Sequence, residues 1–496
     1  MEEPQWSILA NSPADTPTYT RPLQGSELFA DQVMLSQDGF GECCMGITFT
    51  TTLTSEELRG KTKEALARLR FHAPITAAAL QAGIHDPQLR SWIYTPVYDP
   101  TDLERWVSEV LTVLDDPVDP STFIQNMNGN KLPYVLPDGR AQYLRLYLMR
   151  PSATLNEFGF FFHGTHALMD AHPTIVALSL LLEYMTSADL PDIAGLSWGT
   201  EWENLPAGPI TSTGGRRAEW DVDGNALMAK VVGIYSNPTP PHSLRTNLRP
   251  IAVQGRPRRL VVELTAGETL NILQALKRLG FSFTNLIEAA IALSIYKLNP
   301  VSSGTESEAH VTFGSSVISL GRSLVAPHAS RGHFVSRFVL VPVSVPWRDI
   351  SGAGGEKARL LIAMEKLKEQ YTEYLSNPCT PQLMAEQMRL APPRDGMPMS
   401  NPYVSTSSNL GKLEGELPVL WSPNGDASAY RESDAPLFRV GGLHFGHRLT
   451  LPTLMMHSWT IHSRLFIQAQ ALDCWDEDIL QKYMQEIVRS ILMIAA

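Results

Sequence analysis

His166 and Asp170 stand four residues apart in the run FFFHGTHALMDAHPTIVALSLLLEY, Phe160 to Tyr184. An imidazole can take and return a proton near neutral pH, and a carboxylate can cap, pair or orient. What precedes and follows them is apolar. Phe158 to Phe162 is aromatic and compact, which predicts a buried strand. From Ala171 onward a long apolar run with Pro173 in its first turn predicts a buried helix. The short loop between them carries His163, His166 and Asp170, and His172 follows directly. Polar groups held between two buried elements must be paired or put to use.

Four readings compete for this loop. In the first, Asp170 caps the following helix and the histidines are ordinary hydrogen-bonded residues. A second would use His163, His166, Asp170 and His172 as metal ligands. Against it, zinc sites on a helix space two histidines four apart around a glutamate, a pattern that HGTH lacks, so no metal is expected. The third, the oxyanion loop of an α/β-hydrolase, fails because no GxSxG nucleophile elbow occurs in the chain. In the fourth, His166 and Asp170 work as one HxxxD unit, with the histidine as general base and the aspartate fixing the architecture.

HALMDA resembles the HxxxDG motif of the acyl-CoA-dependent acyltransferase superfamily, which includes plant BAHD acyltransferases, fungal trichothecene O-acetyltransferases and condensation domains of nonribosomal peptide synthetases. The motif lies about a third of the way along the chain, after a predicted buried strand, as in that superfamily. Ala171 replaces the usual glycine. Condensation domains carry a second histidine directly before the catalytic one, and Thr165 stands there, which favours the alcohol-acylating branches.

Other segments resemble the superfamily in the same order. They are Ala67 to Leu80, with His72 as a packed or capping residue, then the "helix, Gly, x, Thr, apolar helix" run through Gly280 to Leu298, then Ser408-Asn409-Leu410-Gly411, and finally Met456 to Leu472 ahead of a terminal helix. The DFGWG motif of plant members is absent, and HFGH, His444 to His447, is no substitute, which points to a fungal or bacterial-type member. The resemblance implies an α/β (α+β) fold of two chloramphenicol-acetyltransferase-like domains, with mixed sheets flanked by helices and an active-site tunnel at the domain interface. It implies catalysis by His166 and an architectural Asp170 paired with Arg322. It places Ser408, Asn409 and Thr460 on the tunnel wall as oxyanion candidates. Acyl-CoA is then a co-substrate and no cofactor is permanently bound. The implied reaction moves an acyl group, acetyl first, to a hydroxyl of a small secondary metabolite. The alternative is a condensation-like enzyme that takes a carrier-bound thioester or catalyses a donor-free cyclisation.

The elements that must position these residues divide the chain into residues 1–200, a crossover at 201–257 and residues 258–496. At 496 residues the chain suits two large domains, and 44% hydrophobic with 18% charged residues is the composition of a globular protein. A net charge of −11 supplies no basic footprint for nucleic acid or an anionic membrane. Cys43, Cys44, Cys379 and Cys474 form no CxxC pair, which predicts a reducing compartment. The acidic start MEEPQWSILANS is no signal peptide, and no apolar run reaches a membrane span of about 18 residues. A cytoplasmic monomer is expected.

Residues 1–25 are expected to form a loosely held arm. Strands are predicted at Gly46–Leu53, Gln142–Met149, Arg259–Leu264, Val311–Leu320 and Phe334–Val345. Helices are predicted at Ser55–Phe71 with Ser55 as cap, at Asp102–Leu114, Asn225–Tyr235, Ala266–Leu279, Gly280–Leu298 (capped near Thr284), Gly355–Leu375 and Asp476–Met493. Arg256, Arg258, Arg259, Lys277 and Arg278 form a basic group that could meet coenzyme A phosphates or simply face water.

Overall fold

The computed structural model describes residues 3–83, 89–152, 156–244, 255–329, 331, 333–390, 406–422 and 436–496. The first turn of the site's scaffold is strand β1 (Cys43–Thr51), whose β-branched and small residues suit a strand buried on both faces. Helix α1 (Ser55–His72) follows, with Leu58, Ala65, Leu66 and Leu69 fully buried. Its cap is Thr54 rather than Ser55: the Thr54 hydroxyl accepts from the N–H of Glu57 while the Glu57 carboxylate reaches back, a capping box.

Helix α2 (Pro100–Val110) is capped by Asp99 and stops four residues short of expectation. Leu111–Val113 leave it to become strand β2, paired parallel with β3 (Leu144–Met149), where the β-branched pair Thr112 and Val113 is better housed. Strand β4 (Glu157–Gly164) runs two residues past the expected Phe162 and takes in His163. It ends at a glycine for a reason of space: a Cβ on Gly164 would lie 2.8 Å from both Met169 Sδ and the Tyr143 carbonyl oxygen. Helix α3 (Ala171–Thr186), almost wholly apolar, packs against α1.

The crossover contains helix α4 (Asp223–Tyr235). Beyond it come β5 (Pro257–Glu263), α5 (Ala266–Leu279) and α6 (Phe283–Leu298). The predicted helix over Gly280–Leu298 starts later, because Gly280 is the left-handed C-cap of α5 (φ 76°) and Ser282 caps α6 with Asn285. Strand β6 (His310–Ser319) pairs with β7 (Phe338–Pro346) in a two-stranded sheet. The expected strand from Phe334 begins only at Phe338, since Ser336 and Arg337 give their N–H groups to the loop that holds His166. Then follow α7 (Glu356–Ser376), β8 (Thr406–Lys412), β9 (Leu420–Trp421), β10 (Phe438–His447), β11 (Met455–Ile461), β12 (Arg464–Leu472) and α8 (Glu477–Leu492).

Two mixed sheets carry the site. One has the order β9-β10-β1-β4-β3-β2 and the other β5-β12-β11-β8. The first sheet takes four strands from before residue 200 and two, β9 and β10, from residue 420 onward. So a sheet begun in the first half is completed by the second. Helices α7 and α8 both pack on α6.

The N-terminal segment is not the loose arm expected. Ser7–Ile8 and Tyr19–Pro22 join a four-stranded sheet with Ser91–Tyr94 and Ala79–Gln81, and Arg21 is wholly buried against Glu27 at 2.7 Å. All four cysteines are buried free thiols. Among the described residues no single helix is long and apolar enough to cross a membrane.

Candidate active site

Gly164 ends β4, and a tight turn follows. Thr165 donates its N–H to the Tyr143 carbonyl, and its own carbonyl accepts from Leu168 and Met169. The side chain of Thr165 is buried, and its hydroxyl also accepts from the Ala167 N–H at 3.3 Å. His166 sits at the crest of this turn, partly exposed while its neighbours are buried. Its ring lies edge-on to Phe338 (centroids 5.6 Å apart, 60° between planes) and nearly flat on His447 (5.6 Å, 25°). His447 in turn stacks on His457 (5.2 Å, 17°). On another side is Gly41, at φ 88°, where a Cβ would stand 4.0 Å from His166 Cδ2. Nδ1 of His166 is enclosed and has no hydrogen-bond partner among the described residues, so no acceptor fixes this ring.

At the other end of the motif, Asp170 caps α3. One carboxylate oxygen accepts from the Ala171 N–H at 2.6 Å and the other from the Arg337 N–H at 3.2 Å. The first reading of the loop, with Asp170 as helix cap, is therefore correct for the aspartate.

The expected partner Arg322 is not there. Arg322 lies exposed in the 3-10 turn Leu320–Arg322 and makes no ion pair with Asp170. The Arg337 backbone N–H meets the carboxylate instead; burial pulls the Arg337 guanidinium below its usual pKa, while the charges of Asp170 and Glu416 oppose that shift. The physical reason is the route of the chain. Ser336 donates its N–H to Ala167 at 3.1 Å and Arg337 to Asp170, so this segment, not the end of β6, is laid against the motif loop.

The remaining histidines of the loop have other work. His163 projects from β4 to hydrogen-bond the Tyr134 hydroxyl, and burial, with Arg145 nearby, pushes its pKa down to about 3. His172 meets Glu416 at 2.8 Å. Burial works against its charge, but the Glu416 hydrogen bond and charge raise its pKa overall. Among the described residues no group of three or more His, Cys, Asp or Glu side chains could hold a metal ion.

The three oxyanion candidates lie on the second sheet, and two are already engaged. Asn409 in β8 donates to Thr284 Oγ1 at 3.3 Å and accepts from Gly411 N and Ser458 Oγ. The Thr460 hydroxyl points to the Gly411 carbonyl at 3.5 Å. Both thus serve the bulge at Asn409–Gly411, where Gly411 takes φ 72°. Ser408 pairs in register with His457, the last ring of the stack. Residues 401–405 of the same sequence segment lie outside the described residues. Of the basic group, Arg258 pairs with Glu477 at 2.9 Å, whereas Arg259 turns inward onto Gln468 Oε1 at 3.0 Å, its pKa pushed by burial down to about 10. Lys277 and Arg278 end α5.

Sequence reasoning missed His447, His457, Phe338 and Arg337. A signal existed for one of them: alternation along Phe438–His447 puts Leu443, Phe445 and His447 on one face of β10, with the histidine at its end.

No family model and no curated protein sequence matches the chain. Solved structures do. The chain is similar to TRI3 trichothecene 15-O-acetyltransferase from Fusarium sporotrichioides, with TM-score 0.79 at 16% identity over 99% of this chain and 98% of that one. It is also similar to the condensation domain of the monacolin K polyketide synthase MokA (TM-score 0.64, 11% identity, 99% and 98% covered). The first condensation domain of the CDA synthetase gives 0.58 at 12% identity, with 95% and 96% covered. Over nearly its whole length this chain thus has the mixed α/β, chloramphenicol-acetyltransferase-like fold that these acetyltransferase and condensation-domain structures share.

Proposed function

We propose that the chain is an acyltransferase that moves an acyl group, acetyl first, from acyl-CoA to a hydroxyl of a small secondary metabolite, with His166 as general base. The observation that carries this reading is the state of His166. It is a partly exposed imidazole with an enclosed, unbonded Nδ1, held by rings at the junction of a strand from the first half and segments from the second. The likeness to an O-acetyltransferase over 99% of the chain supports it.

In this reading a hydroxyl oxygen attacks the thioester carbonyl carbon while His166 takes its proton. The tetrahedral oxyanion collapses, the C–S bond breaks, and the imidazolium gives the proton to the departing thiolate. Ser408, beside His457, is the oxyanion donor we retain, because Asn409 and Thr460 are engaged at the bulge. Asp170 stays architectural. The reading includes a cytoplasmic monomer with no nucleic-acid or membrane partner.

Likeness to condensation domains favours a second reading, a carrier-bound donor or a donor-free cyclisation on the same base. Calorimetric titration with acetyl-CoA and with free CoA separates the two. Micromolar binding of acetyl-CoA is expected; no binding at millimolar ligand would move the assignment to the second reading.

A further inference from the structure

A general base needs its ring held, and histidine bases are commonly fixed by a hydrogen bond at the second nitrogen. Nδ1 of His166 has no such bond among the described residues. What touches the ring instead is Phe338 at its edge and His447 on its face. We propose that His447 is a positioning residue for His166, its stacked ring fixing the plane of the base where no hydrogen bond does. This rests on the reading of His166 as the general base.

Three observations support it. First, His447 is itself immobilised. The Gln470 side chain grips its backbone from both sides, accepting from its N–H at 2.9 Å and donating to its carbonyl at 2.6 Å. The preceding Gly446 admits no side chain, since a Cβ there would lie 2.7 Å from Asn128 Nδ2 and 2.8 Å from Ile124 Cγ2. Second, the stack continues to His457 on β11, so the column begins on the motif loop, passes the end of β10 and is backed by the second sheet. Offset-stacked rings at such separations attract, and a plate backed by another plate resists tilting. Third, His447 and His457 are buried, at 7% and 8% exposure. Burial drives both pKa values down, that of His457 to about 3, so neither takes a proton near neutral pH. The base is the most exposed member of the column, and its supports stay neutral beneath it.

The test uses the full chain with 13C-labelled histidine. His447→Leu fills the space without a ring, and His447→Phe keeps a ring without nitrogens. His447→Leu should shift the His166 ring signals, which ring currents from His447 displace, and lower kcat about tenfold to a hundredfold with KM little changed. His447→Phe should keep both near wild type. In a His166→Ala background, His447→Leu should cost no further activity, because its effect runs through His166. Unchanged His166 signals and kcat in His447→Leu would overturn the proposal, as would a His447→Phe loss equal to that of His447→Leu. Should His447→Leu fail to fold, His447→Phe decides alone, with loss of signals and kcat counting against the proposal. If the signals behave as expected but no chain, wild type included, transfers acyl groups, the positioning stands and the acyl-transfer reading falls.

Discussion

The two ends of HxxxD are four residues apart and are built on opposite terms. At the Asp170 end both carboxylate oxygens accept backbone N–H groups, one from its own helix and one from Arg337. At the His166 end Nδ1 has no hydrogen-bond partner among the described residues, and the rings of Phe338 and His447 lie against it. The difference separates a residue whose polar atoms are spent on the fold from one whose enclosed Nδ1 has no partner among the described residues. Hydrogen-bonding capacity spent within the fold cannot be offered to a substrate, and the reverse is also true.

The largest effect that would sharpen this contrast is His166→Ala. Turnover in an acetyl-transfer assay should fall about a hundredfold to ten-thousandfold, while the melting temperature stays close to wild type. A large loss of stability would erase the contrast.

Asp170→Ala comes next. It removes a helix cap and leaves the half-buried Arg337 N–H without this acceptor, so unfolding free energy should drop by about 1–3 kcal/mol, with activity falling alongside. Denaturant unfolding measures it, and an unchanged midpoint would show that the carboxylate is not structural.

Two histidines beside these ends, His457 in the ring column and His172 in the first turn of α3, differ in the sign of their pH dependence. His457, with its folded pKa near 3 against 6.5 unfolded, contributes stability that is complete above about pH 6.5 and is lost as the pH falls toward 3. His172, raised by Glu416, contributes stability that is complete below about 6.5 and is lost as the pH rises through its raised value. His457→Phe should therefore flatten the acid side of a melting-temperature profile, and Glu416→Gln the neutral side. If both variants changed the same side, the assignment would be wrong.

The smallest effect belongs to Arg322→Ala. An exposed arginine with no carboxylate partner should change stability by less than about 0.5 kcal/mol. Arg337→Ala should be more costly, because its guanidinium is largely withdrawn from water and feels the charges of Asp170 and Glu416. Equal effects would return Arg322 to the role first expected of it.

Much of the fold is legible along the chain because its signals are local. Pro173 after a capping Asp170, the boxes Thr54–Glu57 and Thr265–Glu268, and Gly280 at a left-handed cap each mark a boundary within a few residues. Errors gathered where a segment serves something distant. Leu111–Val113 left a helix to pair with β3, and residues 334–337 left a strand to bind the motif loop. The tail at Tyr19–Pro22 became a strand because Ser91–Tyr94 offered it an edge.

The site divides in the same way. Sequence alone brought the candidate pair together, because His166 and Asp170 share one short loop whose strand and helix are set by local hydrophobic pattern and capping. It also offered Asp170 as a cap among four readings, and the structure has that bond, which spans one residue. Only the tertiary structure decided what stands around the pair. The Arg337 N–H took the place expected of Arg322, and His447 came to lie on His166 from 281 residues away (447 − 166), with His457 stacked behind it. No periodicity reports a ring stack between strands of different sheets. Its geometry is fixed by how the sheets pack, and that is a property of the whole core rather than of any segment.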